Sequence, residues 1–271
     1  MKKLIVLGTG HAVVKKCYNT CFALQEDNEY LLVDAGGGNE ILNRLDKANI
    51  PLIHIHHMFV THEHTDHILG VVWIIRMIAS LMKMKKYEGK FHIYCHKDLV
   101  QIIQTICCLT LSRGLTCLFD DMIIFHGLEN GDTKTILNCE LTFFDIYSTK
   151  AKQFGFTFRN ENNEKIVFLG DEPYNPKCYQ YCQQADWLLH EAFCLYEKRE
   201  IYKPYEKHHS TTKDASEVAC QLNAKHLVLW HSEDDDLKHR KEMYTKEAKQ
   251  YFNGEIFVPD DLEIIDLIKK G

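Results

Sequence analysis

Six short apolar runs recur along the chain, and each breaks off into a loop rich in Gly, Asp, Glu, Thr or His. They are KLIVLGTG from Lys3, YLLVDAGGG from Tyr30, HMFVTHEH from His57, KIVFLGDEP from Lys165, WLLHEAF from Trp187 and HLVLWHSED from His226. An unbroken apolar run of this length, without alternation, is the pattern of a strand buried on both faces. Between the runs, helical spacing of apolar residues predicts helices over 39–48, 67–86, 97–110, 212–223 and 239–252, the fourth capped by Ser210 or Thr211 with Asp214 and Glu217 in its first turns. Strands mixed with helices along the whole length predict an α/β fold packed in layers. The polar stretch at 159–165 reads as a hairpin tip, and no linker interrupts the chain, so one domain over residues 1–271 is expected. Its chemistry should lie along one sheet edge, where the runs end.

The chain has 271 residues, is 45% apolar and carries a net charge of −6. That apolar share is ample for a core, and the charge disfavours a protein that grips nucleic acid by bulk electrostatics. Only four apolar residues precede Gly8, too few for a signal-peptide core. The most apolar stretch, 68–82, contains Arg76 and is short for a bilayer span. A soluble cytoplasmic protein with no membrane partner is the expectation. The 11 cysteines include no CxxC pair, and in such a chain they read as reduced core thiols.

The densest chemistry lies at THEHTDH, residues 61–67. In an extended loop His62, His64 and Asp66 point one way, and His67 points elsewhere and opens the following helix. Such a loop offers two imidazoles to one metal and a carboxylate with an imidazole to a second. That donor set suits Zn²⁺, Fe²⁺ or Mn²⁺. The nearby His54, His56 and His57 lack the Asp, lie in the strand leading to the loop, and read as structural.

THEHTDHILG resembles the HxHxDHxxG signature of the metallo-β-lactamase superfamily. VLGTG, VDAGGG, FLGDEP and LVLWHSE fall around it in that family's order, and LHEAF followed by HHST (208–211) is similar to the ribonuclease Z branch. The resemblance covers essentially the whole chain. It implies a four-layer αββα sandwich and a metal-dependent hydrolase with two divalent transition metals, zinc first, with manganese or iron as alternatives. His62 and His64 would bind the first metal, Asp66, His67 and His231 the second, and Asp171 both. Asp66 also counts as catalytic, together with His209, which Glu191 would keep protonated as a general acid.

One departure stands out. The family's remaining first-metal histidine is missing: no His lies between His126 and His190, and Tyr147, in FFDIYSTKAKQFGF, stands at the matching position. Tyrosine is a poor zinc ligand because its pKa is about 10, so the first site is expected to be weak, with His11 and Asp145 as alternative donors. The implied activity is a ribonuclease Z-like phosphodiesterase using a dinuclear metal-activated hydroxide. Its substrate is RNA or, since no Gly/Pro-rich RNA-gripping arm is visible, a small cyclic or linear phosphodiester or other ester. A non-catalytic binding protein on a degraded first site is the alternative from another class. A homodimer is among the expectations.

Overall fold

The computed structural model describes residues 1–268. Its strands are β1 (Lys3–Gly8), β2 (Cys21–Glu26), β3 (Glu29–Val33), β4 (Ile55–Phe59), β5 (Phe91–His96), β6 (Ile123–Leu128), β7 (Thr133–Ile136), β8 (Cys139–Asp145), β9 (Phe154–Arg159), β10 (Lys165–Phe168), β11 (Trp187–Glu191), β12 (His226–Trp230), β13 (Glu255–Phe257) and β14 (Ile264–Asp266). They form two seven-stranded sheets, in the orders β14-β1-β2-β3-β4-β5-β6 and β13-β12-β11-β10-β9-β8-β7. Each sheet is antiparallel on one side and parallel on the other: β3 to β6 run parallel in the first, β10 to β13 in the second. The expected hairpin tip is the turn between the antiparallel partners β9 and β10.

The apolar runs are continuous because both faces of each strand are covered. Leu31 and Val33 of β3 face Phe156, Ile166 and Phe168 of the other sheet, whereas Leu32 faces the helices. In β11 and β12 the split repeats: Leu189, Val228 and Trp230 join the layer between the sheets, and Leu188, Leu227 and Leu229 join the outer one. The helices are α1 (Glu40–Lys47), α2 (Thr65–Lys83), α3 (Lys97–Thr110), the single turns α4 (Arg113–Thr116), α5 (Tyr179–Cys182) and α6 (Arg199–Tyr202), then α7 (Thr212–Gln221) and α8 (Leu237–Ala248). Helices α1 to α3 pack on the first sheet through Ile41, Leu45, Ile74, Ile78, Leu99 and Ile103, and α7 and α8 cover the second through Ala215, Ala219 and Tyr244. This is the αββα order of layers.

Helix α2 is long and apolar enough to cross a membrane by length and composition. Its buried residues Ile68, Val71, Ile74, Ile75, Ile78, Ala79 and Met82 recur every three or four positions and lie in the core beneath the first sheet, with Arg76 exposed. Thr211 caps α7 in a reciprocal capping box with Asp214.

Of the three histidines read as structural, His54 and His56 lie against Glu29, and His57 joins His92 and His126 in a ladder at the β4-β5-β6 end of the space between the sheets. His57 pairs in register with His92, and His126 with Tyr94. The rings stack at 5.4 Å for His57–His92 and 4.5 Å for Tyr94–His126, and His92 Nδ1 lies 3.0 Å from His126 Nε2. Burial first, then the repulsion that a charge on His57 would meet from His92, His56 and His126, holds His57 down at about 4. Burial, His92 and Lys134 do the same for His126, and burial with Lys90 lowers His92. The folded ladder therefore stays neutral where the unfolded chain takes up protons. Stability is full above about 6.5 and is lost progressively as pH falls toward about 4. We expect the urea midpoint to drop between pH 7 and pH 5, and the drop to shrink in His126→Phe. An equal drop in both proteins would contradict this origin.

Candidate metal centre

Five of the loops that bear on the site leave the carboxyl ends of strands in the parallel halves of the two sheets, β3 and β4 in the first and β10, β11 and β12 in the second. After β4 the chain stays extended through His64, and α2 begins at Thr65. The extended pattern therefore stops two residues earlier than the spacing suggests. His62 and His64 project from the extended segment, whereas Asp66 and His67 belong to the first helical turn. The entry to α2 is stitched to the loop after β3 by Ala35 N–H to His67 O (3.2 Å) and Gly70 N–H to Gly36 O (2.8 Å). A Cβ on Gly70 would lie 1.8 Å from Ala35 O, so this close crossing admits only glycine. Asp171 follows Gly170, which sits at φ +75°, and His231 directly follows β12 at φ 56°.

The side chains converge in two groups. Asp66, His67, Asp171 and His231 form one, and His62, His64 and Asp171 the other, with the ligand-type atoms of each group within 4.8 Å of one another. Asp171 is common to both. His67 Nε2 lies 3.3 Å from Asp66 Oδ2 and 3.4 Å from Asp171 Oδ2, and His231 Nε2 lies 3.5 Å from the same oxygen. Donors about 2.0–2.1 Å from one tetrahedral centre sit roughly 3.3–3.4 Å apart, so the first group already has the spacing of a filled shell. His62 Nε2 is 3.7 Å from Asp171 Oδ2.

The opposite ring nitrogens are held from behind. His67 Nδ1 donates to Asp34 (2.7 Å), His231 Nδ1 lies 3.2 Å from the Thr20 hydroxyl, and His62 Nδ1 lies 2.9 Å from the Thr61 hydroxyl, which itself donates to Asp34. These contacts turn each Nε2 toward the shared centre. Among the described residues His62 Nε2 and His67 Nε2 are buried with no hydrogen-bond partner, a state that costs about 1–3 kcal/mol per group unless something fills it. Burial and the neighbouring imidazoles keep His62 far below the ordinary histidine range, and burial holds His231 at about 3. Burial works against the charge on Asp66 and Asp171, but the imidazoles around them more than reverse it and both stay ionised. Burial likewise opposes a charge on His67, yet Asp66 and Asp34 raise it well above its usual value. Buried imidazoles around ionised carboxylates fit a divalent metal.

Other residues named from the sequence are placed as follows. Glu191, fully buried, has Oε2 3.6 Å from His209 Nδ1, and the His209 ring stacks on Phe193 at 4.7 Å. Burial lowers the basicity of His209, and Glu191 more than restores it, so its net shift is upward. The Tyr147 ring packs with the apolar cluster on the outer face of the second sheet, under Lys177 at 5.0 Å. Asp145 accepts from Tyr147 N–H, and His11 pairs with Glu233 at 3.4 Å, so neither stands in for the missing histidine. Four neighbours of the site were not singled out from the sequence. Asp34 stands within VDAGGG, Phe193 within LHEAF, and Lys150 and Gln153 within FFDIYSTKAKQFGF, where no spacing rule marks them. The Gln153 amide nitrogen lies 2.6 Å from His62 Nδ1 and also donates to Asp171.

A sequence model of the family described as Anti-Pycsar protein Apyc1 matches residues 2–251. The chain belongs to that family. This Apyc1-family chain is also 25% identical to the ribonuclease Z of Thermococcus sibiricus over 100% of its own length and 98% of that protein's. Two solved structures share its fold. The metallo-β-lactamase fold protein YhfI from Bacillus subtilis has TM-score 0.80 and 18% identity, over 98% of this chain and 99% of that one. The short form of human tRNase Z has TM-score 0.73 and 20% identity, over 98% and 100%. The Apyc1-family chain is thus a ribonuclease Z-like member of the metallo-β-lactamase superfamily and a metal-dependent hydrolase.

Because Asp34 orients His67 and Thr61 together, Asp34→Asn should weaken metal binding by about 10- to 100-fold while the fold persists. Competition with a chelator, read beside circular dichroism, measures both. Unchanged metal affinity would show that the orientation of His67 does not depend on Asp34.

Proposed function

We propose that this hydrolase is a phosphodiesterase with a dinuclear centre held by His62, His64, Asp66, His67, Asp171 and His231, and that its substrate is a small cyclic or linear phosphodiester. The observation that carries the reading is the cleft over the two donor groups. It has a volume of about 470 Å³ and is lined by His64, Asp66, Asp171 and His231 together with His209, Phe193, Lys150 and Lys207. Its size is that of small-molecule sites, and its mixture of carboxylates, imidazoles and the partly buried Lys150 suits an anionic ester.

Histidine and carboxylate donors in near-tetrahedral spacing favour zinc. A divalent metal bound there lowers the pKa of water and neutralises charge on a phosphoryl oxygen. The protein's own groups do the rest. Asp171, shared by both groups, holds them at a fixed separation. Asp34, Thr61 and Thr20 keep the imidazoles in the required tautomer. His209, 5.4 Å from the His231 ring and steadied by Glu191, is a proton donor for the departing oxygen. Its stacking on Phe193 limits the directions in which that proton is offered. RNA is the second reading, favoured by the ribonuclease Z relative.

Turnover of bis-p-nitrophenyl phosphate by protein with measured zinc or manganese content tests the activity, and precursor transfer RNA in the same assay separates the two substrates. Absence of phosphodiester turnover by fully loaded protein would sink the proposal. For His209→Ala we expect about a 10²- to 10⁴-fold loss with an alkyl leaving group and a much smaller loss with p-nitrophenol, whose oxygen needs little protonation. Glu191→Gln should move in the same direction. Equal losses for both leaving groups would assign His209 to holding the loop before α7.

A further inference from the structure

The loop that lacks the histidine still reaches the site. Tyr147 turns away at φ 57°, and the side chain that this loop sends into the cleft is Lys150. Glu172, next to Asp171 and almost fully buried, clamps the loop: its Oε1 accepts from the Ser148 hydroxyl at 2.7 Å and its Oε2 from Thr149 N–H at 2.9 Å. The Lys150 ammonium forms a loose ion pair with Glu172 at 3.7 Å, too long for a hydrogen bond, and lies 3.4 Å from His209 Nε2. A partly buried ammonium is thereby held at the cleft, beside His209 and with donors to spare.

We infer that Lys150 is a substrate-binding residue that donates to a non-bridging oxygen of the phosphate group, supplying positive charge at the cleft beside His209. The inference rests on the phosphodiesterase reading. A phosphodiester carries one negative charge, and more develops on its oxygens as the bond to the leaving group breaks. An ammonium with free donors, fixed by a loop that is itself tied to the residue after Asp171, meets that charge without rearranging. Lys207 is the natural control. It is exposed at the rim, with its Nζ over the Phe193 ring at 4.8 Å.

The test is calorimetric titration of the metal-loaded full chain with inorganic phosphate, with metal content measured on every sample. Lys150→Met should weaken phosphate binding by about 10- to 100-fold, the scale of a hydrogen bond to a charged group. Lys150→Arg should restore most of it, metal content should be unchanged, and kcat/KM for bis-p-nitrophenyl phosphate should fall by a similar factor. Lys207→Met should cost less than about threefold, as an exposed charge does. Phosphate affinity unaltered by Lys150→Met, loss of metal from that variant, or an equal loss in Lys207→Met would each overturn the assignment. If the wild type turns over the diester while Lys150→Met binds phosphate normally, only the lysine assignment fails. If the wild type does not turn it over, the phosphodiesterase reading fails and takes this one with it.

Discussion

One carboxylate joins the two halves of the molecule. Asp171, from the loop after β10, faces His62 and His67 from the loop and helix after β4, and His231 from the end of β12. It is buried, as are those three histidines. Taking an ionised carboxylate out of water is expensive unless opposite charge and hydrogen bonds surround it. Here the imidazoles and Gln153 do so. The ends of the two sheets must therefore meet in one register. The phenylalanine-rich layer between them, with Phe22, Phe59, Phe143, Phe156 and Phe168, holds that register rigidly.

A second carboxylate does comparable work one layer further back. Asp34 accepts from Thr61 N–H, from the Thr61 hydroxyl and from His67 Nδ1. It thereby fixes the chain where β4 turns toward α2 and aims a ring in that helix's first turn. The close crossing at Gly70 locks the same helix against Ala35. The donor atoms are thus positioned by rigid strand ends and one short helical turn, which is where a site needs to be built if its geometry is to persist. Glu172 extends the principle to the loop after β8, where it holds Ser148 and Thr149 and, with them, the lysine at the cleft.

The strands read as apolar runs were legible because they are covered on both faces, and a doubly buried strand leaves an unbroken hydrophobic signature. β2, β5 and β8 carried a weaker one, since CFALQE, FHIYCH and CELTFFD mix polar residues into the run. The short edge strands β7, β13 and β14 were too brief to register. The start of α2 was misplaced by two residues because HxHxDH looks uniform in sequence, yet the chain changes from extended to helical in its middle. The tyrosine assigned to the lost histidine illustrates the opposite limit. Sequence order placed Tyr147 near the site, but its left-handed backbone turns the ring outward, and the third residue beyond it occupies the cleft instead.

The sequence by itself determined the layered α/β class, the strand-end placement of the chemistry, the histidine-aspartate cluster of residues 62–67 and a helix start at Ser210 or Thr211. Each of these is a local pattern, written in the spacing of neighbours. Only the tertiary structure decided which distant side chains complete the site. Thr20 stands behind His231, Asp34 behind His67, Gln153 beside His62, and Lys150 beside His209. Such partners are chosen by where two folded sheets bring them. A single threonine or glutamine obeys no spacing rule that would mark it in advance, because the hydrogen bond that gives it a role exists only after the chain has closed around it.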